Sequence, residues 1–238
     1  NVSISGNGIE RLQFRDFQHL DVIEIILNNI PTLYSVDKES FFSLQSLVVL
    51  EMHDNVKLTY LDEDAFVKCN SLTLLYLQNN NLLAIGSHLA ASLPNLQSIS
   101  LYHNPLHCDC NVFWVKEMMG AYHDYYDSSF SLTVTNESAD NTSLKLPPIT
   151  FQHADKFICD TPLSMNAKLL KSIPLSNIPK SCPPTVIPFF NDSHQKELGD
   201  SITYECRAIG VPRPHIHWIL SNGKVVNNTS NYSRVRLD

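Results

Sequence analysis

The stretch LTLLYLQNN, Leu72 to Asn80, decides how this chain folds. Leu72, Leu75 and Leu77 stand at the spacing L-x-x-L-x-L, and Asn80 closes the motif. Leu75 and Leu77 alternate with Leu74, Tyr76 and Gln78, the period-two pattern of a short strand with one buried face. An amphipathic helix would place apolar residues at i, i+3 and i+4, with no reason to end each copy on Asn. The arrangement recurs as Leu47, Leu50, Met52, Asn55 before this stretch and as Leu96, Ile99, Leu101, Asn104 after it. Further upstream the same reading gives Leu20, Ile23, Ile25, Asn28, and a half copy, Val2, Ile4, Asn7, opens the chain. The steps between successive Asn residues are then 21, 27, 25 and 24 residues.

A second apolar series lies between these copies. Ile30, Leu33, Val36, Phe41 and Leu44 fill one interval, Leu58, Leu61, Phe66 and Leu72 the next, and Leu82, Ile85, Leu89 and Leu93 the third. A period near 25 with apolar residues along the whole turn describes a solenoid, because no single turn can bury its own apolar edge and stacking supplies the core. An Asn inside each turn satisfies backbone groups where the strand bends away. The pattern resembles the leucine-rich repeat over residues 2–104. That resemblance implies a right-handed solenoid with parallel β-strands on its concave face, centred near Ile4, Glu24, Glu51, Tyr76 and Ser100. The chain enters in mid-repeat, so further residues are expected upstream.

Residues 105–182 follow with NPLHCDCNVFW, in which Asn104, Pro105, Cys108, Cys110 and Trp114 resemble the disulfide-bonded C-terminal cap of extracellular leucine-rich-repeat proteins. Two later cysteines, Cys159 and Cys182, complete the cap set. Four cysteines allow three pairings; the resemblance implies Cys108–Cys159 and Cys110–Cys182. A metal site at His107, Cys108 and Cys110 is the rival reading, but structural zinc sites use C-x2–4-C pairs rather than C-x-C. The run from Gly120 to Pro148, with Tyr122, Tyr125 and Tyr126, is longer than the cap pattern needs and reads as a glycosylated surface excursion. Cys69, in FVKCNSL, sits where a small apolar residue belongs and reads as a buried free thiol.

Residues 183–238 change character. The stretch GDSITYECRAIGVPRPHIHW resembles the first half of an immunoglobulin domain of the intermediate type, an all-β sandwich present here only in part. Ile202, Tyr204 and Cys206 alternate as a strand, Gly210, Pro212 and Pro214 make a turn, and Trp218 stands on the next strand beside His215 and His217. The resemblance implies that Trp218 packs on an inter-sheet disulfide from Cys206. A sandwich needs about 100 residues and 55 run from Pro184 to Asp238, so the partner of Cys206 is expected beyond the chain.

Composition narrows the function. The charge is −7, from 17 basic and 24 acidic residues, which disfavours nucleic acid as a partner. Asn-x-Ser/Thr triplets begin at Asn1, Asn136, Asn141, Asn191, Asn227, Asn228 and Asn231. With the cysteine pattern, they point to the secretory pathway and to N-glycosylation. The chain has no signal peptide and no apolar run long enough to cross a membrane, so a signal and a transmembrane segment are expected outside it. It has no GxGxxG, P-loop, HExxH or GxSxG motif, so neither catalysis nor a cofactor is expected.

Repeats, cap and immunoglobulin domain in this order resemble the leucine-rich-repeat and immunoglobulin cell-surface proteins. The resemblance implies the ectodomain of a single-pass type I membrane protein at the plasma membrane, acting as an adhesion molecule, co-receptor or regulatory subunit of a receptor. Two alternatives share the order: a neurotrophin-receptor-like tyrosine kinase and a secreted matrix protein of peroxidasin type. The expected partner is another protein. Strand alternation turns Val22, Glu24 and Ile26 outward beside Val49, Glu51 and His53, then Leu74, Tyr76 and Gln78, then Ser98, Ser100 and Tyr102. Ile26, Leu74, Tyr76 and Tyr102 are the candidate anchors, with Glu24 and Glu51 giving the face an acidic side.

Overall fold

The computed structural model describes residues 1–128, 149–187, 197, 199–200, 204 and 206–226. It divides into two units, Asn1–Lys180 and Ser181–Asp238.

The first unit is built on a six-stranded parallel sheet. Its strands are β1 (Val2–Ser3), β2 (Glu24–Ile26), β3 (Val49–Glu51), β4 (Leu74–Tyr76), β5 (Ser98–Ser100) and β6 (Thr150–Gln152). One strand comes from each solenoid turn, and the sixth comes from the cap. Val2, Ile25, Leu50, Leu75, Ile99 and Phe151 stand in one row. From Ile25 to Phe151 this row is buried, and Leu27, Met52, Leu77 and Leu101 form a buried row beside it.

This register corrects the reading of the second turn. Ile25 pairs with Leu50, so the second copy is Val22, Ile25, Leu27, Ile30 rather than Leu20, Ile23, Ile25, Asn28. Leu20 and Ile23 are 39% and 61% exposed, while Ile25, Leu27 and Ile30 are fully buried. The Asn position of that turn is occupied by Ile30, and the uneven steps of 21 and 27 residues become 23 and 25. A shift of two keeps strand parity, so Glu24 and Ile26 still face outward. Val22 does not, because it packs half-buried against the core.

The true Asn rungs carry the stack. Asn55 Oδ1 accepts from Ile30 N at 2.7 Å, and its Nδ2 donates to Leu27 O at 2.9 Å. Asn80 Oδ1 accepts from Asn55 N, and its Nδ2 reaches Met52 O and Leu77 O. Asn104 repeats this with Leu82 N, Leu77 O and Leu101 O. Just before each rung the chain turns through the left-handed region at Gly6, Asn29, Asp54, Asn79 and His103. Gly, Asn and Asp enter that region at least cost.

The other side of each turn is held by short parallel pairings. Arg11–Leu12, Ser35–Val36 and Tyr60–Leu61 make one ladder, and Phe17–Gln18 with Phe41–Phe42 another. Phe17, Phe41 and Phe66 stack through the core, with ring centres 5.1 and 5.3 Å apart. A short helix, α1 (His88–Ser92), takes this place in the next turn. Cys69 is fully buried and donates its thiol to Phe41 O at 3.0 Å. Burial pushes that thiol up to about 11, which keeps it protonated and inert.

The cap closes the open end of the core. After a 3-10 turn at Cys110–Val112 comes α2 (Phe113–Ser128). Val112, Trp114 and Val115 are buried there, and the Trp114 indole donates to Ile85 O at 2.8 Å. The helix takes in Gly120 to Ser128, so the run read as a surface excursion begins as helix, and Tyr122, Tyr125 and Tyr126 belong to it. Cys108 and Cys159 are bridged, beside the parallel pairing of Leu106–His107 with Cys159–Thr161.

In the second unit Cys182–Ile187 pairs antiparallel with Arg207–Val211, and Trp218–Ile219 pairs with Val225–Val226 around a turn with Gly223 at φ 77°. The strand following Cys206 starts at Arg207 and takes in Gly210, with a cis peptide bond at Val211–Pro212. His215 and His217 are exposed and precede the Trp218 strand rather than standing on it. Tyr204 lies 6.1 Å from Trp218, ring centre to ring centre.

Candidate protein-interaction face

The outward side of the long sheet carries two rows. One runs Glu24, Val49, Leu74, Ser98, Thr150; the other runs Ile26, Glu51, Tyr76, Ser100, Gln152. Glu24 and Glu51 are therefore diagonal neighbours rather than side by side, and Ile26 lies beside Glu51 rather than His53. Leu74 and Tyr76 share a strand, with Tyr102 one strand further along. All of the candidate anchors are half-buried, as flat residues in a row of neighbours must be. The face grades from carboxylates and aliphatics on β2 and β3 to hydroxyls and amides on β5 and β6.

A polar chain runs along one edge of the face. Asn28 Nδ2 donates to Glu51 Oε2 at 2.8 Å, and His53 Nε2 lies 3.7 Å from the same oxygen. His53 Nδ1 meets Asp54 at 2.6 Å, Asn79 Nδ2 donates to Asp54 at 2.7 Å, and His103 Nδ1 meets Asn79 Oδ1 at 2.8 Å. Tyr102 is clasped edge-on by His103 and His153, with Lys156 Nζ 5.2 Å from its ring centre. Each side chain in this chain fixes the next, so the face is preorganised.

Three contributors escaped the sequence reading. Thr150 and Gln152 extend both rows, and Gln152 Nε2 donates to Ser98 Oγ at 2.9 Å. Their signal was the alternation ITFQ at 149–152, which lacks the flanking Leu and Asn of a full copy. Asn1 is the third: it lies at the head of the Glu24 row, and its Nδ2 donates to Glu24 Oε2 at 2.6 Å. The Asn1 sequon therefore lies at the edge of the repeat face. The remaining ones, at Asn136, Asn141, Asn191, Asn227, Asn228 and Asn231, lie outside the described residues.

Cys110 and Cys182 are also disulfide-bonded, so with Cys108 they offer no thiolate to a metal; Cys69 is a free thiol, and Cys206 is bridged to no cysteine among the described residues. Among the described residues no helix is long and apolar enough to cross a membrane.

Residues 32–82 match the family model described as leucine rich repeat, and the same turns continue on both sides of that match. The solenoid is a leucine-rich-repeat domain. Among curated proteins the chain is similar to leucine-rich repeat and fibronectin type III domain-containing protein 1 of Rattus norvegicus and of Homo sapiens. Identity is 21% over 224 residues, covering 91% of the chain and 24% of each relative. It is also similar to protein 4 of that series from Rattus norvegicus, at 23% over 225 residues, covering 91% of the chain and 29% of the relative. The chain thus spans about a quarter of the length of these relatives. The crystal structure of human trophoblast glycoprotein, also called Wnt-activated inhibitory factor 1, superposes with a TM-score of 0.39 at 18% identity. That superposition covers 66% of this chain and 58% of that one.

Proposed function

We propose that this chain belongs to the ectodomain of a single-pass cell-surface protein that binds another protein through the outward face of its repeat sheet. Such a protein acts as an adhesion molecule, a co-receptor or a regulatory subunit of a receptor. The observation that carries the reading is the face itself. Ile26, Leu74, Tyr76 and Tyr102 are held at fixed spacing on a sheet whose edge is locked by the Glu51–His53–Asp54–Asn79–His103 chain. Preformed aromatic and aliphatic residues among polar neighbours are what protein interfaces use as anchors. The disulfides fit an oxidising compartment, and the similar proteins are modular leucine-rich-repeat chains.

The test is to display tetramers of the chain and of its variants against an array of extracellular domains, then measure affinity for each hit. Tyr76→Ala and Tyr102→Ala should each weaken association by ~1–3 kcal/mol. Asn136→Gln combined with Asn141→Gln should leave it unchanged. Normal binding by both tyrosine variants, with loss of binding in variants of residues 210–218 or of the cap, would place the contact elsewhere.

A further inference from the structure

Two buried polar atoms on the outward face have no hydrogen-bond partner among the described residues: Gln78 Oε1 and Ser100 Oγ. Buried polar atoms are nearly always paired, so orphans mark either a structural cost or an empty site. These two are neighbours. Ser100 stands beside Tyr76 in register, and Gln78 follows Tyr76 by two residues on the same face. They are diagonal neighbours across adjacent strands, about 7–8 Å apart along the backbone, a gap that their side chains and one ligand group span. Ser100 is 1% exposed and Gln78 is half-buried with its Oε1 enclosed, so the Gln78 side chain must turn for an arriving group to reach either oxygen.

We propose that this point seats a single arginine side chain of the protein partner. Its guanidinium would donate to Gln78 Oε1 and Ser100 Oγ, with Tyr76 flanking it and Glu51 balancing its charge. The inference rests on the docking reading above and names the chemistry that the face recognises.

The donor count selects the group. An amide oxygen accepts only, and the adjacent hydroxyl oxygen accepts as well, so the ligand brings several N–H groups in one rigid arrangement. A guanidinium has five in a planar fork and stacks on aromatic rings, whereas an ammonium is a compact, strongly hydrated point charge. A neutral amide supplies donors without charge, and Glu51 favours the cation over it. Glu51 is the register neighbour of Tyr76, and its Oε2 is already oriented by Asn28 and His53. Lys156 stands over the Tyr102 ring, which neighbours Gln78, and its charge opposes a run of cations more than a single one placed beside Glu51. The partner therefore presents one arginine here rather than a basic run.

The experiment uses the whole chain, isotopically labelled, and follows the Gln78 side-chain amide and Tyr76 ring resonances at fixed ionic strength. The probes are ethylguanidinium, n-butylammonium and propionamide. Ethylguanidinium should shift both resonances saturably, binding at least about fivefold tighter than either other probe. Gln78→Leu and Ser100→Ala should each weaken it at least about threefold; Ser100→Ala removes only an orphan hydroxyl and keeps the fold. Equal response to n-butylammonium reduces the effect to charge and overturns the proposal. So does a response unchanged in Gln78→Leu, or a long-lived water beside Ser100 that ethylguanidinium does not displace. The two readings fail separately. Saturable guanidinium binding with normal partner affinity in Tyr76→Ala sinks the docking face and leaves the seat. Loss of partner affinity in Tyr76→Ala with no guanidinium site does the reverse.

Discussion

The second solenoid turn and the fourth solve the same problem with different residues. In the fourth, Asn80 sits inside the coil and ties three backbone groups of two turns together. In the second, Ile30 takes that position as a fully buried apolar side chain whose own N–H goes to Asn55. Asn28, two residues earlier, takes a different task at the sheet's edge, accepting from His53 N at 2.9 Å and donating to Glu51. A rung can therefore be apolar where the neighbouring Asn residues already cover the carbonyls. Leu27 O is served by Asn55, and Ile4 O by Asn7.

Breaking a true rung should show the largest effect. Asn80→Ala leaves Asn55 N–H and Met52 O without partners in the core, and should lower unfolding stability by about 2–4 kcal/mol in urea titrations. Asn28→Ala strips an acceptor from a half-buried N–H at the edge and should cost about 1 kcal/mol in the same assay. A larger loss there than in Asn80→Ala would restore Asn28 to the rung.

Ile30→Asn sharpens the comparison from the other side. Leu77 O already accepts from both Asn80 and Asn104, so Leu27 O has room for a second amide. The gain in hydrogen bonds offsets the lost apolar burial, and the change should stay within about 1 kcal/mol of neutral.

Cys69, in the core of the third turn, should give no signal at all in the folded state. Iodoacetamide at pH 8 should leave it unmodified in native protein and label it fully in denaturant. Its thiol has an ordinary value of 9.0 that folding raises to about 11. The stability linked to it is therefore complete below about pH 9 and is lost as pH climbs toward about 11. Native-state labelling at pH 8 would mean that the turn opens locally.

Much of this architecture was legible in the sequence. The copies ending at Asn55, Asn80 and Asn104 showed the period, the inward row and the outward residues, because alternation and burial write themselves into composition. The second turn was misframed because Asn28 imitates a rung and Leu20 and Ile23 imitate its apolar partners. Only stacking distinguishes them, by burying Ile25, Leu27 and Ile30 and leaving Leu20 and Ile23 in water. The sixth strand was invisible for a related reason: residues 150–152 lie 50 positions after Ser100, and sequence distance hides a pairing that the cap creates. The sequence alone thus determined a repeat, since that follows from spacing, and its resemblance at Cys108, Cys110, Cys159 and Cys182 implied a cysteine-bonded cap. Which residues share a row, where the acidic and aromatic groups meet, and which polar atoms are left without partners were decided by the tertiary structure. Register is a property of neighbouring turns, and no single turn contains it.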